Sequence, residues 1–292
     1  MDGVLNINKP VGMTSFGIVA LVRKLIGIKK VGHSGTLDPL ASGVLPVCFG
    51  KATRVIEFLT DAKKTYKAVI KLGITTDTYD MEGRVTGQTD VSHLTREDIE
   101  SALSFFCGPI EQEPPMYSAL KLNGQPLYKL ARAGITVERE KRQVHIYSIK
   151  LLDYNLPEIT VETECSKGTY IRSLANDLGA KLGCGAAIAE LERLRCGPFD
   201  INDAVSVTEL KEAFASGNWQ GLVYPTGSVL KDWQSVTVDN ATAAYIRNGV
   251  SVALELAEEA DRCCAYDSEG SLLAILGFDA KTSKWKPSKV FN

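Results

Sequence analysis

The chain of 292 residues predicts an α+β protein, a large domain of mixed helices and strands followed by a small β-rich module. Three observations carry this. Apolar residues recur at helical spacing between Ile18 and Ile26, strict alternation runs from Lys64 to Gly73, and the texture changes after Ser216. Residues 217–228 are rich in Gly, Pro, Ser and Thr, with Trp219 and Tyr224 as anchors. The boundary is therefore placed there, giving units 1–225 and 226–292.

Residues 3–8 read as a short strand. Thr14 or Ser15 then caps a helix whose Ile18, Val19, Leu21, Val22, Leu25 and Ile26 form its core face. A Gly- and Pro-rich loop follows, then an apolar run over 44–49 and a helix around 53–59. In the strand 64–73, Tyr66, Ala68, Ile70 and Leu72 face one way, with Lys67 and Lys71 opposite. Asp77, Asp80 and Glu82 crowd the next segment. The spacing and downstream Glu of a calcium loop are missing, so a polar hairpin connection is expected.

Thr95-x-x-Asp98 has the form of a capping box and opens a helix expected to stop at Gly108. Pro114-Pro115 interrupts the chain before residues 117–122, and 127–133 make a short basic helix ending at Gly134. Strands are expected over 143–152 and 158–165, and helices over 168–182 and 207–215. Residues 187–194 are half apolar and fit either strand or helix. In the last module a helix follows Asn240, and Asp267-Ser268-Glu269-Gly270 makes a hairpin turn.

A content of 45% hydrophobic and 23% charged residues is that of a globular protein. No apolar run approaches bilayer length, and no basic segment followed by an apolar stretch opens the chain. The seven cysteines form no Cys-x-x-Cys, and His33, His93 and His145 are scattered, so no metal is expected. Cys48 reads as a small buried hydrophobe, and the expected compartment is the cytoplasm. A net charge of −2 does not announce a nucleic-acid binder. Local basic faces exist on neutral proteins, however. The candidates are Arg23/Lys24/Lys29/Lys30, Lys63/Lys64/Lys67, Lys121/Lys129/Arg132 and Arg139/Lys141/Arg142.

The densest chemistry lies between Gly32 and Arg54. Asp38 sits in a loop punctuated by Gly32, Gly35, Pro39 and Gly43, beside the apolar run 44–49. Pro39 biases Asp38 towards extended backbone, which mounts a carboxylate at a fixed place. Local chemistry leaves two readings open, a catalytic acid or a turn-initiating Asp-Pro.

Residues 32–46 resemble the signature of the TruB-type tRNA pseudouridine synthases, Gly-His-x-Gly-Thr-Leu-Asp-Pro-x-Ala-x-Gly-Val-Leu-Pro, with every fixed position present. The resemblance extends to Lys9-Pro10-x-Gly12-x-Thr14-Ser15, Lys64-x-Tyr66-x-Ala68, Thr76-Asp77-Thr78-x-Asp80-x-x-Gly83 and Pro114-Pro115-x-Tyr117-Ser118-Ala119-x-Lys121. It continues in the run from Cys165 to Arg172 and in Lys286-Pro287-x-x-Val290. It implies a pseudouridine synthase domain with a mixed, antiparallel-rich central sheet, followed by a PUA-like barrel. It also implies isomerisation of uridine 55 in the T loop of tRNA, with no cofactor, no obligate protein partner and a monomeric enzyme.

By this resemblance Asp38 is the essential aspartate, acting as nucleophile or general base, and Arg172 is its counter-charge. Tyr66 stacks on the flipped uracil and takes part in proton transfer. Tyr170 and Leu191 line the pocket, though pattern alone reads both as core, and His33 wedges into the T loop. One departure stands out: Glu192-Arg193 replaces the two consecutive arginines usual after Leu191, which removes one expected phosphate or packing contact. Two other readings remain. One is a chaperone that refolds tRNA through the T arm; the other is a guide-RNA-dependent, dyskerin-like synthase, against which the short chain and lack of basic tails argue.

Overall fold

The computed structural model describes residues 1–122, 124–256 and 260–291. The chain opens with β1 (Gly3–Lys9) and α1 (Ser15–Ile26). Thr14 caps the helix, accepting from the Gly17 N–H, and Ile18, Val19 and Val22 are buried as the spacing predicts. Strands β2 (Val31–His33) and β3 (Ala41–Phe49) bracket the Asp38 loop. The helix expected around 53–59 is split into a 3-10 turn, Gly50–Val55, and α2 (Ile56–Asp61).

Next come β4 (Lys64–Leu72), the hairpin β5 (Ile74–Thr76) and β6 (Val85–Gln88), and α3 (Arg96–Ser104). The capping box of Thr95 and Asp98 is present. The helix nevertheless ends four residues before Gly108, because Gly108 (φ 97°) already opens β7 (Gly108–Gln112). A small hairpin, β8 (Lys121–Leu122) and β9 (Gln125–Pro126), leads into α4 (Leu127–Arg132). The long pair β10 (Arg142–Asn155) and β11 (Glu158–Cys165) follows, then α5 (Ile171–Leu182), shorter at its start than expected. The ambiguous segment 187–194 lies inside a strand, β12 (Ala186–Cys196). Its neighbours β3 and β4 supply the ladder that its own sequence does not announce. Short strands β13 (Phe199–Asp200), β14 (Val205–Ser206) and β15 (Val223–Tyr224) and helix α6 (Val207–Ala215) complete this part.

Among the described residues these strands form one eleven-stranded sheet, ordered β14-β1-β3-β12-β4-β11-β10-β7, with β2, β13 and β15 paired off that path. Pairing is antiparallel except for β1 with β14 and β3 with β12. A separate four-stranded sheet holds β16 (Ser235–Thr237), β17 (Arg262–Tyr266), β18 (Leu272–Asp279) and β19 (Lys284–Val290), flanked by α7 (Asn240–Arg247). The turn read at Asp267–Gly270 joins β17 to β18.

Strand β3 is buried on both faces, which explains its apolar run over 44–49. Leu45, Val47 and Phe49 join the main core, to which α1 and α5 also contribute. Val44 and Cys48 join a second core with Leu59, Val229, Leu230, Cys264 and Ile275, which ties the small sheet to the large one. Phe58 packs edge-on against Trp233, with ring centroids 5.0 Å apart, and Lys289 pairs with Glu57.

Gly43 permits the parallel contact of β3 with β12. It lies opposite Arg193, with φ 104°, and a Cβ there would sit 2.3 Å from the Arg193 carbonyl oxygen. Strain and overlap together make Gly43→Ala expected to cost about 3 kcal/mol. Thermal denaturation checks this; an unchanged Tm would show that the approach of the two strands is not tight.

Candidate active site

The Asp38 loop is held from outside by the first sequence motif. The Ser15 hydroxyl donates to the Leu37 carbonyl (3.0 Å) and accepts from the Leu37 N–H (2.8 Å). The Gly12 N–H reaches the Pro39 carbonyl at 2.8 Å. Lys9 is fully buried, and its Nζ donates to the carbonyls of Met13 (2.7 Å), Pro10 (2.9 Å) and Pro39 (3.5 Å). Burial pulls its amine down to about 8, a shift that the Asp38 charge partly offsets.

Arg172 projects from the first turn of α5 and gathers three distant segments. Its Nη2 lies 2.8 Å from Asp38 Oδ2 and donates to the Tyr117 carbonyl at 2.8 Å. Its Nη1 reaches Asp80 Oδ2 at 3.3 Å and the Thr78 carbonyl at 3.1 Å. Asp80 is itself buried, and its Oδ1 accepts from the Thr78 hydroxyl at 2.6 Å. The hairpin between β5 and β6 thus does more than turn the chain, since it brings a second carboxylate to the same guanidinium.

Asp38 has a side chain 34% exposed, open towards the cavity. Burial pushes its carboxyl above the usual carboxylate range; Arg172 and Lys9 oppose this, and Asp80 reinforces it. Asp80→Asn removes the reinforcing charge, so the Asp38 pKa falls. If catalysis needs ionised Asp38, the acid limb of the pH–rate profile moves to lower pH, while the rate drops about tenfold as Arg172 loses an ionised acceptor. Single-turnover rates between pH 5 and 8 check this; a limb that stays in place or moves up would uncouple the two carboxylates.

Asp38, Tyr66, Tyr170, Arg172 and Leu191 line one cavity of about 580 Å³, so five of the six residues singled out in the sequence come together. The sixth, His33, stands on β2 outside that lining, half-buried, with a buried Nδ1 that makes no hydrogen bond of good geometry among the described residues. Burial, then the nearby Arg193 charge, pulls its imidazole pKa down. Burial pushes the Tyr66 phenol up to about 12, with Arg193 acting against it. Tyr170 is fixed through its backbone by Gln112, whose side chain accepts from its N–H (2.7 Å) and donates to its carbonyl (3.0 Å).

Two cavity residues carry signals that sequence reasoning left aside. Ser118 is buried, and its Oγ makes no hydrogen bond of good geometry, although it lowers the phenol pKa of Tyr170 against burial. Arg193 is 1% exposed. Leu191 and Arg193, two apart on β12, both line the cavity, whereas Glu192 points to the opposite face. Glu192 stands across from Lys67 in the β4–β12 register, so the departure from two consecutive arginines falls outside the cavity.

The expected basic clusters need correction at two residues. Lys64 is not a surface cation, since it is 6% exposed and its Nζ donates to the carbonyls of Leu59, Thr60 and Ala62 at the end of α2. Arg139 pairs with Glu113 and is largely covered. Lys167, paired with Asp61, remains exposed at the cavity, whereas Lys63, paired with Glu164, is exposed beside Thr65 on the other face of β4.

Models of two protein domains match the chain. That of the TruB family pseudouridylate synthase N-terminal domain covers residues 23–171, and that of the tRNA pseudouridylate synthase B C-terminal domain covers residues 172–231. The tRNA pseudouridine synthase B of Dehalococcoides mccartyi is 45% identical over 291 residues, covering 100% of this chain and 97% of that protein. The protein of the same name from Clostridium tetani is 45% identical over 86% of each chain. Among solved structures, an H/ACA RNP bound to a substrate RNA containing 2'-deoxyuridine has a chain that superposes with a TM-score of 0.77 at 25% identity, over 99% of this chain and 85% of that one. A Cbf5-Nop10-Gar1 complex gives 0.76 at 27% identity, over 99% and 84%. With the Asp38–Arg172 pair set in its cavity and relatives matched from end to end, the chain belongs to the TruB family of pseudouridylate synthases.

Proposed function

We propose that this protein is a tRNA pseudouridine synthase that converts uridine 55 of the T loop to pseudouridine. The observation that carries the reading is the Asp38–Arg172 contact of 2.8 Å in a cavity walled by Tyr66, Tyr170 and Leu191. A uridine inside folded RNA must leave its stack to reach such a cavity. Tyr66 then stacks on the flipped base, Tyr170 and Leu191 line the pocket around it, and His33 wedges into the T loop. Asp38 serves as nucleophile or general base, with Arg172 opposing the desolvation that disfavours its charge.

The N1–C1′ bond breaks, the ring turns, and C5 bonds to C1′. The C5 proton goes to solvent and N1 takes one up, so the reaction is an isomerisation and needs no cofactor. The catalytic unit comprises residues 1–225. Residues 226–292 form a PUA-like unit that holds RNA beyond the cavity, a division supported by their separate sheets. The enzyme works as a monomer on the tRNA T arm, in the cytoplasm, without a guide RNA. Relatives matched over most of their length and named for tRNA favour this over the guide-dependent reading.

The test is tritium release from an unmodified tRNA transcript carrying 5-³H-uridine, with the new pseudouridine mapped by mass spectrometry. One pseudouridine at position 55 supports the reading. Accelerated tRNA folding without tritium release would replace it with the chaperone, and modification elsewhere would overturn the assignment of the site.

A further inference from the structure

Arg172 and Arg193 both line the cavity, yet they are in opposite electrostatic situations. Arg172 is shared between two carboxylates. Arg193 has none within salt-bridge distance among the described residues. Its Nε donates to the Val44 carbonyl at 2.7 Å and its Nη2 to the Gly35 carbonyl at 3.3 Å, both neutral acceptors. Gly35 belongs to the loop that carries Asp38, so this side chain pins that loop to β3.

A buried cation without a counter-ion is costly, and a well-packed apolar side chain of similar volume is commonly neutral or better for stability. The charge therefore calls for a use other than packing. Backbone phosphates are poor candidates for its partner, because the residue is 1% exposed. The reaction offers a better one. When N1–C1′ breaks, the bonding pair stays with the ring and negative charge spreads over N1, O2 and O4. This holds when Asp38 attacks C1′ or removes a sugar proton, the two routes that leave the conjugated ring intact. The base is then an anion in a cavity that also contains Asp38, and Arg172 is already committed to two carboxylates.

We propose that Arg193 is a positioning residue that fixes the Asp38 loop and the Tyr66 phenolic oxygen and whose uncompensated charge stabilises the uracil while it is detached from the sugar as an anion. It acts through Tyr66 and through the field of a water-excluded cavity, where a preoriented charge is worth more than in water. Arg193 stands directly across from Tyr66 in the β4–β12 register and both line the cavity, and the opposition of Arg193 to the upward shift of the Tyr66 phenol fits a guanidinium directed at that hydroxyl. The inference rests on the pseudouridine synthase reading.

The test compares two tRNA transcripts, one with uridine and one with 5-fluorouridine at the target position, under single-turnover conditions. Cleavage is read as loss of the N-linked nucleoside after digestion. Fluorine stabilises the anionic ring, so the base then depends less on Arg193. For Arg193→Met the expected rate deficit is about 100-fold on uridine and about 10-fold on 5-fluorouridine, the size seen when one preorganised donor is removed. The tRNA Kd is expected to stay within about threefold, since only uniform binding would move it. Arg193→Lys, which keeps the charge, recovers most of the uridine rate, and Arg193→Gln supplies the same comparison if Arg193→Met does not fold. An equal deficit on both bases, a deficit confined to affinity, or none would overturn the inference while leaving the enzyme reading intact. A wild-type protein inert on the uridine transcript would overturn both.

Discussion

Asp38→Asn is expected to reduce tritium release from 5-³H-uridine tRNA by about 10³-fold or more, with tRNA affinity within a few-fold of wild type. Asparagine keeps the shape of the side chain and one acceptor for Arg172 but supplies neither a nucleophile nor a base. Arg172 retains Asp80, the Thr78 carbonyl and the Tyr117 carbonyl, so the site does not collapse. The effect on stability has a definite sign. A carboxyl whose pKa is raised on folding binds more protons in the native than in the unfolded state, so its contribution to stability falls as pH rises through that range. Above it, the ionised Asp38 is a cost to the fold that the substitution removes. The Tm of the variant at pH 7 is therefore expected to equal or exceed that of the wild type, the usual exchange of stability for activity at a functional site. Tritium release at the wild-type rate would remove Asp38 from the chemistry.

Local pattern sufficed where one face of an element meets the core and the other meets solvent. The alternation of β4 and the spacing in α1 are of this kind, and both elements lie where their residues predict. It failed where burial is two-sided or where a partner is remote in sequence. Strand β12 has strand neighbours on both sides and carries Leu191 and Arg193 on one face and Glu192 on the other, a mixture that imposes no clear period. Asp80 reads as a turn residue because its significance depends on Arg172, 92 positions away. Lys64 reads as part of a basic face because nothing local announces that α2 ends with three carbonyls around its amine. The motif from Gly32 to Pro46 was legible as a mounted acid; its counter-charge and its second carboxylate became so only through the resemblance and the fold.

Arg172→Met is expected to be the most damaging single change in the site. The guanidinium is 4% exposed and balances Asp38 and Asp80, so its loss leaves two facing carboxylates with no shared cation between them. Breaking a buried pair in this way costs about 3–5 kcal/mol, which for a chain of this size corresponds to a fall in Tm of roughly 10 °C. The pH dependence separates this from simple loss of packing. Removing an opposite charge disfavours the ionised form of Asp38, so its pKa rises further above the ordinary carboxylate value. The deficit relative to wild type should thus be largest at neutral pH and should narrow as the pH falls and Asp38 takes up a proton. Asp80→Asn in the same chain removes one of the two stranded charges, and the double variant should regain a substantial part of the lost stability at pH 7. A deficit independent of pH and unrelieved by Asp80→Asn would mean that Arg172 supports the fold through its backbone-carbonyl contacts rather than as the shared counter-ion of the two acids.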